Sequence, residues 1–200
     1  MMLALLLALG STRADYTSKH NTARCLHCDT ATATRSASLE ADAQAYADTC
    51  PTGHASSRNG AGENLYWAGF TGTPPTLDAS YTAAMAGWYT SEETNYNYQT
   101  GTSNGGVTGH FTQVVWKDSV QIGCGVALNC NNRFDGFTNS AVVCRYLSHG
   151  NFNNNYLTQV GHKISAGTQC SAAHSSCSAG SGDSSGGSSD GGSTSDGGST

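Results

Sequence analysis

The chain has 200 residues, a net charge of −5, only 12% charged residues and nine Lys and Arg in all. So few cations, scattered along the sequence, exclude the basic footprint of a nucleic-acid binder or of a patch for anionic membranes. Two hundred residues allow one domain with appendages, and both ends read as appendages.

Leu3 to Leu9 form an apolar run followed by small and polar residues, with cleavage expected after Ala14. The run is too short to cross a bilayer and reads as a secretory signal peptide over residues 1–14, although only the amino terminus supplies its positive charge. No other segment approaches membrane-spanning length. Tyr16 to Cys28 reads as a first helix, opened by Thr17 and Ser18. Leu39, Ala43, Tyr46 and Ala47 recur at helical spacing and predict a second helix ending near Cys50 and Pro51. A loop rich in Gly, Ser and Asn follows. Pro74, Pro75 and Thr76 then mark the start of a third helix with the stripe Tyr81, Met85, Trp88 and Tyr89.

After a Gly-rich stretch from Gly101 to Gly109 the period changes to two. Val120, Ile122, Cys124, Val126 and Leu128 alternate with smaller or polar residues and predict a half-buried strand, and Val142, Cys144 and Tyr146 predict another. Helices followed by antiparallel strands give an α+β or three-layer α-β-α domain, expected over residues 15–166. Residues 167–200 form a tail. From Ser178 onward it holds only Ser, Gly, Asp, Thr and one Ala, too little apolar surface to offset the entropy of ordering.

The eight cysteines are Cys25, Cys28, Cys50, Cys124, Cys130, Cys144, Cys170 and Cys177. An even count behind a signal peptide predicts a disulfide framework in a secreted, extracellular protein. A zinc or redox reading of Cys25-Leu26-His27-Cys28 finds no second pair at matching spacing.

Four blocks occur in order: HNTAR at His20–Arg24, GENLYW at Gly62–Trp67, GHFTQVVW at Gly109–Trp116, and VVCRY leading to GNF at Val142–Phe152. Together they resemble the signature segments of the CAP superfamily, which includes cysteine-rich secretory proteins, venom antigens and plant pathogenesis-related proteins. The resemblance implies an α-β-α sandwich around a central antiparallel sheet, and a cleft lined by two His and two Glu. By motif these are His54, Glu63, Glu92 and His110. Glu92 is selected over Glu93 by its distance from the pair Tyr96 and Tyr98. At about 100° per residue it also falls on the Tyr81–Met85–Trp88 stripe. His20 and His27 are implied to pack or hydrogen-bond near the cleft, whereas His149, His162 and His174 read as solvated surface.

Imidazole and carboxylate are good ligands for a divalent ion, zinc above all, and that is one reading of the tetrad. A second is a secreted hydrolase using Glu63 and His110, for which the sequence supplies neither a G-x-S-x-G elbow nor an HExxH helix. A third is a purely structural network in an interaction protein. Binding, not turnover, is expected. The partner is a small hydrophobic ligand of lipid or sterol type or an extracellular protein, and a monomer is expected. Tyr66, Trp67, Phe70, Tyr96 and Tyr98 are the candidates for a ligand groove, although the 97–109 loop lacks the further aromatic that sterol-binding relatives carry.

The resemblance also pairs Cys124 with Cys144, which sit at inward positions of neighbouring strands. Cys50 and Cys130 form the next pair. Cys25 and Cys28 are then expected to join Cys170 and Cys177, fastening the C-terminal segment to the first helix. The competing arrangement is local, Cys25 with Cys28 and Cys170 with Cys177.

Overall fold

The computed structural model describes residues 15–131, 137–152, 154–165 and 168–170. The expected signal peptide over residues 1–14, the Ser/Gly tail, His174 and Cys177 lie outside these described residues.

Helix α1 (Tyr16–Arg24) opens where the Asp15 carboxylate accepts from the Ser18 N–H at 2.9 Å. Strand β1 (Thr34–Arg35) follows, and α2 (Ala37–Asp48) is capped by Ser36. Strand β2 (Gly62–Phe70) contains the GENLYW block. Helix α3 (Leu77–Met85) starts at Thr76, whose hydroxyl accepts from the Ala79 N–H directly after the two prolines. It runs into a π-helical turn (Ala86–Thr90) and then α4 (Ser91–Glu93). A small hairpin, β3 (Tyr96–Asn97) and β4 (Thr102–Ser103), precedes α5 (Gly109–Val114). Two ten-residue strands, β5 (Gln121–Cys130) and β6 (Thr138–Leu147), lead to α6 (Tyr156–Gln159).

The main sheet has the order β1-β5-β6-β2. Its body is antiparallel, and β1 adds a two-residue parallel edge at Thr34–Gln121 and Arg35–Ile122. Beyond that short edge, Gln44 of α2 covers β5. Its amide accepts from the Val126 N–H at 3.0 Å and donates to the Val126 carbonyl at 2.9 Å, occupying an edge that would otherwise invite pairing.

The sheet is buried on both faces. On one, α2 brings Ala43 and Ala47 against Leu65, Val143 and Trp67. On the other, Trp88, Phe111, Val114 and Trp116 pack over Ile122, Cys124, Val142 and Tyr146. Two apolar layers with a sheet between them make the three-layer α-β-α sandwich. Close approach of α2 requires glycine in β5: a Cβ on Gly123 would stand 2.1 Å from the Glu40 nitrogen.

Disulfides join Cys124 with Cys144, directly opposed in the β5–β6 ladder, Cys50 with Cys130, and Cys28 with Cys170. Cys25 is also disulfide-bonded. The C-terminal segment therefore returns to α1, where the Cys28 N–H also donates to the His162 carbonyl and the Ile164 N–H to the Leu26 carbonyl.

Candidate functional site

Glu63 stands at the second position of β2, across the ladder from Arg145 of β6. Both side chains are almost wholly buried, and the Arg145 guanidinium donates to Glu63 Oε2. Arg145 Nε lies 2.8 Å from the Asp42 carboxylate of α2, and its guanidinium carbon sits 5.1 Å over the Tyr46 ring. The other oxygen, Glu63 Oε1, is 2.5 Å from His54 Nδ1 and accepts from the Ala55 N–H at 3.1 Å. One carboxylate thus fixes the His54 loop to the sheet.

A second pair joins α4 to α5. Glu92 Oε1 is 2.5 Å from His110 Nδ1, while Oε2 accepts the backbone N–H groups of His110 at 2.9 Å and Phe111 at 3.1 Å. The carboxylate therefore holds both the first turn of α5 and the ring that projects from it. Trp88 stacks on that ring at 6.4 Å, its own Nε1–H donating to the Leu65 carbonyl. Glu93, the neighbour, serves elsewhere: Tyr98 and Lys163 both donate to its carboxylate. Burial works to raise the Glu93 carboxyl, but these two bonds and the Lys163 charge outweigh it and hold the group below the usual range.

An ionised carboxylate only accepts, so Nδ1 is the protonated nitrogen in both His54 and His110. Nε2 of each ring is without a hydrogen-bond partner among the described residues. His54 is the more open of the two, with 54% of its side chain exposed against 30% for His110.

Behind the pairs runs a buried polar network. Asn64 donates to the His110 carbonyl at 3.1 Å and to the Tyr146 hydroxyl at 3.3 Å. Tyr146 in turn lies 2.9 Å from His20 Nε2, and His20 Nδ1 donates to the Tyr16 carbonyl at 2.8 Å. Burial, helped by the Arg24 charge, pushes the His20 pKa down to about 4, so the ring is neutral and accepts at Nε2. His27 follows the same logic: Nδ1 donates to the Gly161 carbonyl and Nε2 accepts from the Tyr89 hydroxyl. Its pKa is likewise about 4, mainly through burial.

Arg24, fully buried and without a carboxylate partner among the described residues, donates to the carbonyls of Ala31, Val114, Trp116 and Lys117. It satisfies the carbonyls at the end of α5, the helix that carries His110. HNTAR is thus a positioning block.

A cleft of about 670 Å³ is lined by His54, Glu63, Gln113, Arg58, Asn151 and also His149. The sequence reading left His149 on the solvated surface. It is half-buried, because the turn after β6 folds it over Phe152, whose ring centre lies 3.9 Å away. His162 is exposed and stacks on Tyr98.

The aromatic candidates do not share one groove. Tyr66 and Trp67 are consecutive in β2 and face opposite sides of the sheet, Tyr66 toward the Trp88 layer and Trp67 toward α2. Trp67 also donates to the Pro51 carbonyl at 2.6 Å, and Phe70 is half-buried at the far end of the strand. Tyr96 and Tyr98 pack with Phe111 and His27 in the same layer as Trp88 and Tyr66.

Among the described residues, the one group of three ligand-type atoms within 4.8 Å of one another is His20, Cys124 and Cys144. Both sulfurs are committed to the disulfide and both His20 nitrogens to hydrogen bonds. The tetrad itself stands as two pairs.

A family model described as the Cysteine-rich secretory protein family, CAP, matches residues 17–146. Protein PRY2 of Saccharomyces cerevisiae is 36% identical over 138 residues, 66% of this chain and 36% of that protein. Pathogenesis-related leaf protein 4 of Solanum lycopersicum is 40% identical over 141 residues, 69% of this chain and 78% of that one. The chain spans about half the length of the pathogenesis-related proteins of Arabidopsis thaliana that it matches. Among solved structures, BmVAL-1 superposes with a TM-score of 0.59 at 27% identity, covering 70% of this chain and 78% of that one. NaASP2, solved with Zn2+, shares the fold at a TM-score of 0.56 and 21% identity, covering 68% and 79%. Fold, motif order and family match agree: the chain belongs to the CAP, or cysteine-rich secretory protein, family.

Proposed function

We propose that this CAP domain is a secreted binding protein in which Nε2 of His54 and Nε2 of His110 together hold a divalent cation, zinc first. The observation that carries this reading is the orientation of the two rings. Each imidazole turns Nδ1–H onto a carboxylate, Glu63 or Glu92, and keeps Nε2 without a hydrogen-bond partner among the described residues. Metal-bound histidines commonly donate their other N–H to a carboxylate, which fixes the tautomer and makes the ligating nitrogen more basic.

The donor set fits zinc: two neutral imidazoles as ligands, with two glutamates behind them supplying opposite charge. A bound ion would supply Lewis acidity and an anchoring point for an anionic or carbonyl-bearing ligand. The chain's own residues do the rest. Arg145 takes one oxygen of Glu63 and leaves the other to His54, Asn64 and Arg24 hold the helix under His110, and Trp88 stacks on its ring. That NaASP2 was solved with Zn2+ on the same fold is consistent with the reading.

Zinc titration by calorimetry tests it. The expected result is one site per chain, lost in a His54→Ala, His110→Ala double variant that keeps its thermal transition. Unchanged uptake in that variant would refute the assignment. A peptide or ester turned over only by the zinc-loaded protein would move the reading to the hydrolase.

A further inference from the structure

A second hollow, of about 700 Å³, lies away from the His and Glu pairs. Its walls are the β3–β4 hairpin and the start of α6, and its floor is the segment leading into α5. Seven of its eleven lining residues carry hydroxyls: Tyr96, Thr100, Thr102, Ser103, Thr108, Thr112 and Tyr156. An amide, Asn154, and one aliphatic side chain, Leu157, complete the polar and apolar contacts, and the lining contains no charged residue.

This hollow is built, not accidental. Gly101, at φ +69°, lets the hairpin press onto α6, where a Cβ would meet Leu157 Cγ at 3.1 Å and Tyr156 Cβ at 3.2 Å. The Tyr96 hydroxyl donates to the Tyr156 carbonyl across the gap, and Trp116 braces the Tyr156 ring edge-on at 5.5 Å. Thr100 and Thr102 hydroxyls bond each other at 2.8 Å, which leaves each with acceptor capacity for a third group. Thr108 precedes α5 at the capping position, yet its hydroxyl makes no capping bond.

We propose that this hollow is a binding site for a neutral, polyhydroxylated ligand, a short glucan chain. Hydroxyl and amide side chains both donate and accept, as vicinal sugar hydroxyls do, and Tyr156 with Leu157 offers an apolar face to the C–H side of a pyranose ring. A charged ligand would lose water here without gaining an opposite charge. The hydroxyls of Tyr96, Thr100, Thr102, Thr112 and Tyr156 already bond within the protein, and each keeps a lone pair to which a sugar hydroxyl can donate.

The test is an NMR titration of the full 15N-labelled chain with laminarihexaose and with cellohexaose. It is run in chelator, so that its outcome does not depend on the cation proposed above. Saturable shifts confined to the hairpin, residues 108–112 and residues 154–157 are expected with at least one of the two glycans. Thr108→Val, which removes a hydroxyl but no capping bond, should weaken binding up to roughly tenfold, and Tyr156→Ala should weaken it further. Absence of shifts with both glycans up to millimolar concentration overturns the proposal. So does perturbation of these residues by a soluble sterol sulfate but by neither glycan.

Discussion

Arg145 and Glu63 occupy one rung of the β2–β6 ladder, and the guanidinium of the first holds the carboxylate that orients His54. Neither side chain has more than 2% of its surface exposed. The pair joins the sheet to the cleft, so damage on the sheet side should be read at the histidine. Arg145→Met leaves a buried carboxylate without its cation, and stability should fall by about 3–5 kcal/mol. Chemical denaturation measures this. A loss no larger than that of Asp42→Asn would show that the pair is not the anchor.

Arg24→Lys should fail to rescue Arg24→Ala. Lysine reaches the buried carbonyls as a single point, whereas the guanidinium fork meets four at once. Both variants are expected to lose more than about 2 kcal/mol, since each orphaned buried carbonyl costs on the order of 1–3 kcal/mol. A lysine variant as stable as the parent would contradict this.

The protein should become less stable as pH falls from 6.5 toward 4. His20 and His27 have folded-state values near 4, against 6.5 when exposed. Within that window the unfolded chain binds protons that the folded chain refuses, so stability is full above 6.5 and declines toward 4. The specific signature is an NMR titration in which the Cε1–H shifts of both rings stay flat down to about pH 5. A midpoint near 6.5 for either ring would show that its burial does not exclude the proton.

Gly123→Ala should destabilise strongly, because the new methyl meets the backbone of α2 and not a movable side chain. Overpacking of this kind costs about 1–3 kcal/mol or more. Gly53→Ala, where a Cβ meets nothing within 4 Å, is the matched control and should be near neutral.

The elements legible in the sequence were those with one wet face or a clear stop. Thr76 and the prolines before it marked the start of α3, the Leu39, Ala43, Tyr46 and Ala47 stripe marked α2, and the alternation through Ile122, Cys124 and Val126 marked β5. β2 was not legible as a strand. Its first four residues, Gly62, Glu63, Asn64 and Leu65, are all buried, so polar residues sit where alternation expects apolar ones. Their partners are Arg145, the His110 carbonyl and Tyr146, far away in the chain.

The helical-phase argument for Glu92 assumed an uninterrupted helix, but the π-helical turn at Ala86–Thr90 changes the phase before it, and the spacing to Tyr96 and Tyr98 does not depend on it. Both glutamates are used, Glu92 for His110 and Glu93 for Tyr98 and Lys163, so helical phase alone does not separate them. Arg24 bonds to backbone carbonyls, and His20 and His27 each to one carbonyl and one distant tyrosine hydroxyl, which leaves little side-chain signature to pair them with.

The Cys28–Cys170 bond makes residues 28–170 a closed covalent ring that contains the whole sheet. Tension applied between Asp15 and Cys170 would therefore pass through α1 and the disulfides that follow it, and none of it would reach the β2–β6 ladder. With that bond intact, a pull between these two points can unwind the first helix but cannot unzip the strands that carry Glu63.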